Sequence, residues 1–115
     1  MEVYKLKDMK GGWFVCNFEP HVFHTDQFEV GYHKYKKGQE WPAHIHKRTT
    51  EINYLVKGKM TINGRLLKGG DIFVIYPNEV SSPVYLTDCE IVITRNGSFP
   101  NDKYIVKDGY IQPQP

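Results

Sequence analysis

No stretch of this chain spaces its apolar residues with a helical period for more than one turn. Apolar and alternating runs recur instead at intervals of roughly 8 to 12 residues, divided by glycine-bearing turns. That pattern commits the chain to an all-β sandwich or barrel. Trp13 to Phe18 is the first compact run, ended by Glu19-Pro20. Phe28 to Tyr35 alternates, with Phe28, Val30 and Tyr32 on one face and Glu29, His33 and Tyr35 on the other. Ile52 to Val56 follows a histidine-bearing segment. Lys59 to Ile62 and Arg65 to Leu67 flank Asn63-Gly64, a pair suited to a type I′ hairpin turn. Ile72 to Tyr76 is a continuous apolar run, expected to be buried on both faces. Val84 to Leu86 and Cys89 to Arg95 are the last core strands. Val3 to Leu6 reads as an edge strand or extended arm. Tyr104 to Val106 reads as a short strand or a segment packed on the base, and Asp108 onward as a frayed tail.

The chain of 115 residues makes one domain, 1–115. Its core spans about 28–95, with N-terminal strands in 1–27 and a tail at 108–115. Fifteen basic residues against 13 acidic ones give a net charge of +2, which offers no argument for nucleic acid or for an anionic membrane. The lysines at 34, 36 and 37 read as a solvated sheet edge. The two cysteines, Cys16 and Cys89, lie in apolar runs and read as buried thiols, so a cytoplasmic setting is expected. Met1 to Lys10 has no signal-peptide h-region.

The chemistry concentrates in Gly38 to Gly58. His44 and His46 are two apart and share a face of a strand, with Cα atoms about 7 Å apart. Glu51 lies across a short bend and opens the next run, which can pair with the first. Two imidazoles and a carboxylate with open positions suit a divalent metal: iron, manganese, zinc or nickel. The plain alternative is a pair of rim histidines with Glu51 as an ion-pair partner. His21 and His24 are three apart, do not share a strand face, and read as ordinary surface histidines.

Gly38, His44, His46, Glu51 and Gly58 stand at the five fixed positions of the first cupin motif, and the chain resembles a small single-domain cupin. The resemblance covers about residues 28 to 95. It implies a double-stranded β-helix, or jelly-roll barrel, with a site in its mouth. Counted from Gly70, the second motif falls on Tyr76, Asn78, Ser81 and Tyr85, and only the glycine is kept. Ser81 stands where cupins usually place a fourth ligand, and Glu79 is a candidate to supply an oxygen in its stead. Asn53 shares a face with Glu51, and Arg95 shares one with Cys89, Ile91 and Ile93. The candidate substrate-binding residues are therefore Asn53, Tyr76, Ser81, Tyr85 and Arg95.

The resemblance implies a metal-dependent enzyme of oxygenase or isomerase type acting on a small polar metabolite. The alternative is a non-catalytic module for a sugar or small acid, with the metal vestigial or absent. A homodimer is also expected, through a Trp13 to Phe18 strand left at an edge.

Overall fold

A computed structural model describes residues 1–99 and 101–113. Its twelve strands are β1 (Trp13–Cys16), β2 (Phe23–His24), β3 (Glu29–Tyr35), β4 (His44–His46), β5 (Glu51–Lys57), β6 (Lys59–Ile62), β7 (Arg65–Lys68), β8 (Ile72–Ile75), β9 (Pro83–Tyr85), β10 (Cys89–Arg95), β11 (Lys103–Lys107) and β12 (Tyr110–Pro113). One sheet runs β2-β1-β3-β10-β5-β8. Facing it are β12-β11-β4 and β7-β6-β9, joined through the bridges His44–Ser81 and Glu40–Val84. The result is a two-sheet jelly roll.

The alternation of β5 and β10 divides the interior along its length. Leu55, Cys89, Ile91 and Ile93 turn inward and join Met60, Leu67 and Tyr85 in the apolar core. Full burial of a side chain like Leu55 contributes about 2 kcal/mol. Towards the other end of the same strands, the inward positions become Asn53 and Glu51 on β5 and Arg95 on β10. The barrel is thus apolar at one end and polar at the other.

Turn chemistry follows the sequence reading. Asn63 and Gly64 both take positive φ (52° and 82°) between Ile62 and Arg65, which pair directly, as a type I′ turn requires. Gly58 has φ 105°, and a Cβ there would meet the Asp88 carbonyl oxygen at 2.3 Å.

Several expectations are corrected. The N-terminal arm holds a 3-10 turn at Leu6–Asp8 and no strand. The tail from Asp108 is ordered as β12 against β11, with Tyr110 opposite Lys107; residues 114 and 115 lie outside the described residues. Ile72 to Tyr76 is not buried on both faces, because the outer face of the sheet is uncovered and Ile72 and Val74 lie on it beside the equally exposed Tyr54 and Ile52 of β5. Lys34 pairs with Glu90 of β10 on one side, while β1 pairs β3 only at Val30 and Gly31 on the other. The unpaired edge on which the homodimer expectation rests is absent: β1 is held by β2 on one side and β3 on the other. Its aromatics serve the monomer. Trp13 packs edge-on to His33 at 4.7 Å between centroids, and Phe14 lines a hollow with Tyr4, Leu6 and Met9 of the N-terminal arm.

Candidate functional site

The polar end of the barrel encloses a cavity of about 210 Å³ whose walls include His44, Glu51, Asn53, Ser81, Tyr85 and Arg95. A second hollow of about 260 Å³, lined by Glu29 and His46, meets the first at Trp13, Arg95 and Lys103. Six of the eight sequence-predicted site residues line the first, and His46 lines the second.

His44 and His46 are buried on β4 with their rings 5.3 Å apart and nearly perpendicular. Each is oriented by the backbone. His44 Nδ1 donates to the Pro42 carbonyl and His46 Nδ1 to that of Asp102, both at 3.0 Å. A carbonyl can only accept, so each Nδ1 carries its hydrogen and each Nε2 keeps a lone pair. Burial lowers both pKa values, that of His46 to about 4, where the Arg95 charge adds to the effect. Both imidazoles are neutral at pH 7.

Ser81 faces the same space. It exchanges both backbone hydrogen bonds with His44, at 3.0 and 2.8 Å, which sets the two side chains on one face. Tyr85 stacks on Tyr35, with centroids 4.4 Å apart and planes 10° from parallel. Tyr76 is not brought to the site. Ile75 turns in and Tyr76 turns out, 57% exposed. Glu79 is also outside, exposed beside Ile72 and Val80, because the turn at Asn78 (φ 68°) breaks the alternation that would have carried it inward.

Arg95 is the centre of a lateral row. Register aligns Glu29 on β3, Arg95 on β10 and Glu51 on β5 as neighbours on adjacent strands. Arg95 Nε donates to Glu51 Oε2 at 2.9 Å, and a terminal nitrogen reaches Glu29 Oε1 at 3.4 Å. The guanidinium also lies 4.5 Å from the centre of the Trp13 ring. Ser98 Oγ donates to the other Glu29 oxygen at 2.7 Å. Burial would push the Glu51 carboxyl up, but the Arg95 charge, with His46 beside it, outweighs burial and holds it below the usual range.

This row bears on metal binding. Two imidazoles with free, inward lone pairs fit a divalent ion. Glu51 has one oxygen, Oε2, engaged by Arg95, and that oxygen lies 3.7 Å from His46 Nε2. Among the described residues no three carboxylate, imidazole or thiol groups converge as a ready ion site.

Among the described residues, three buried side-chain polar atoms have no partner: His33 Nε2, His46 Nε2 and Asn53 Nδ2. All belong to residues lining these two hollows. An unmade buried hydrogen bond costs about 1–3 kcal/mol, so three at one place mark a surface shaped for something polar.

Sequence reasoning did not assign His33, Tyr35, Trp13, Trp41, Glu29 or Lys103 to this site. The inward face of β3 is the polar one, Glu29, His33 and Tyr35, and its outward face is Val30 and Tyr32. His33 Nδ1 lies 3.0 Å from the Tyr35 hydroxyl, and burial and the Arg95 charge lower its pKa to about 4. The Tyr35 hydroxyl is pushed up to about 12, chiefly by burial and then by the Glu51 charge.

No protein-family model matches the sequence, and no curated protein matches it. Solved structures do. An uncharacterised protein with a double-stranded β-helix domain from Klebsiella pneumoniae is 23% identical over 67% of this chain and 69% of its own, with a TM-score of 0.60. The fold is that of a cupin. KdgF from Halomonas sp. shares it at 27% identity over 65% of this chain and 74% of its own, TM-score 0.55. An acetylacetone dioxygenase from Acinetobacter johnsonii matches at 16% identity over 75% of this chain, TM-score 0.60. This chain spans 60% of the dioxygenase chain. A dioxygenase and an oxalate oxidase thus occur among its fold neighbours. Among the described residues, no helix is long and apolar enough to cross a membrane.

Proposed function

We propose that this cupin binds a small polar metabolite in the barrel cavity and acts on it beside a divalent ion held by His44, His46 and Glu51. The observation that carries the reading is the buried, unpartnered Nε2 of His46, only 6% exposed as a residue, with its tautomer fixed by the Asp102 carbonyl. A bound ion would supply Lewis-acid polarisation of a substrate oxygen. The chain's own residues do the rest. Pro42 and Asp102 orient the imidazoles and fix their tautomers, and burial keeps them neutral. Asn53 offers an unpaired amide donor, and Trp13, Tyr35 and Trp41 wall the cavity. Ser81 leaves room where a fourth ligand would stand.

A second reading is a metal-free binding module, favoured by the 2.9 Å bond from Arg95 to Glu51. There the guanidinium supplies to Glu51 the positive charge that an ion would otherwise bring. Metal analysis on protein purified without a histidine tag, followed by calorimetric titration with Mn²⁺ and Zn²⁺, separates the two. One ion per chain, lost in His46→Ala, supports the metal site; a flat titration supports the module.

A further inference from the structure

We propose that the outer face of the six-stranded sheet, at its β5–β8 end, is the surface through which two copies of this chain pack face to face about a two-fold axis. The surface lies outside the barrel, so it stands apart from the chemistry of the cavity. It is also distinct from the Trp13 to Phe18 strand, whose Phe14 packs with the N-terminal arm.

Register composes this face. Across the β5–β8 ladder Ile52 pairs with Val74 and Tyr54 with Ile72. On its other side β5 sets Ile52 against Thr94 and Tyr54 against Val92 of β10. The intervening residues Asn53, Phe73 and Ile93 line the cavity, so Ile52, Tyr54, Ile72 and Val74 turn outward. Val56 and Tyr76 continue the two strands on the same side. These six residues are 38% to 67% exposed, and none is charged. Farther along the same face, Glu90 and Lys34 stand directly opposite each other.

Two areas give the size of what covers it. At roughly 150–250 Å² for a fully exposed large residue, the six leave about 600 Å² bare. A standard interface takes about 800 Å² from each partner, and in homodimers about two-thirds of that is apolar. The six residues supply that apolar share. The chain as a whole exposes 7532 Å², whereas a monomer of 13.4 kDa exposes about 6,500 Å². The surplus, about 1,000 Å², is close to what one side of a dimer contact removes from water.

The apolarity selects a second copy over a different protein. Interfaces between separable partners are no more apolar than the surface around them, while homodimer interfaces are. Two like sheet faces can interdigitate their side chains at about 10 Å, and a two-fold axis closes the assembly at two chains.

Sedimentation equilibrium of the full chain from about 0.5 to 50 µM tests the interface. The wild-type mass should approach twice 13.4 kDa at the upper end, and its Tm should rise with concentration. Ile72→Lys and Tyr54→Lys each bring an ammonium into the contact but leave it in water in the monomer. Each should keep the wild-type far-UV circular dichroism and weaken the dimer by roughly thirtyfold or more. Val84→Lys, at an exposed position on β9 of the opposite sheet, should leave the dimer unchanged. A wild-type mass of one chain at the highest concentration, a mass that climbs past two chains, a dimer that both Ile72→Lys and Tyr54→Lys leave intact, or one that Val84→Lys weakens equally overturns the proposal.

Discussion

His33 offers a test of whether the polar end of the barrel is as desolvated as its geometry implies. The side chain lies against Trp13, bonds to Tyr35, and leaves Nε2 buried without a partner. Burial and Arg95 lower its pKa to about 4, against an unfolded value of about 6.5. The unfolded chain therefore binds this proton more readily than the native one, and stability rises with pH. His33 costs almost nothing at pH 7. As pH falls from about 6.5 towards 4, its contribution is lost progressively, amounting to about 2–3 kcal/mol by pH 4.5. His33→Gln keeps a polar side chain but removes the titration. Urea unfolding of both proteins at pH 7 and pH 4.5, in EDTA, gives the comparison. The variant should lose about 2–3 kcal/mol less than wild type between the two conditions, whatever its fixed penalty at pH 7. An offset between the two proteins that is the same at both pH values refutes the desolvated, neutral His33.

Two substitutions test other parts of the framework. Gly58→Ala combines a left-handed backbone with a Cβ 2.3 Å from the Asp88 carbonyl oxygen, and should destabilise by about 1–3 kcal/mol or more, read as a lowered Tm in a thermal melt. Ser81→His places an imidazole on the face of His44 and should tighten Zn²⁺ binding roughly tenfold by calorimetry; no gain means that the second motif is out of register here.

The sequence made legible what depends on local pattern. Strand alternation, the Asn63-Gly64 turn, and the shared face of His44 and His46 each involve residues close in the chain, and each stands in the structure. So does the inward course of Arg95, because Cys89, Ile91 and Ile93 mark that face as core. Misplaced residues lie where one alternation was carried through a break or where apolarity stood in for burial. Tyr76 is taken from its place in the second motif and Glu79 from its parity with Ser81, and the chain turns at Asn78 between them. Ile72 and Val74 are apolar yet outward, as Ile52 and Tyr54 opposite them are, because nothing within the chain covers that face of the sheet.

The partners of Arg95 belong to a third category. Glu29, Glu51 and Arg95 are separated by 22 and 44 positions along the chain (51 − 29 and 95 − 51), and nothing local links them. They meet because three strands align in one register, with Arg95 opposite Glu29 on one side and Glu51 on the other. The same register explains how a small barrel tolerates so much buried polarity. Each carboxylate of the row has a guanidinium nitrogen, and Ser98 takes the outer oxygen of Glu29. A buried charge without such a partner costs several kcal/mol. The row still holds two carboxylates against one guanidinium, so it stays net negative, and the charge of Glu51 reaches the ammonium of Lys103 on the opposite sheet.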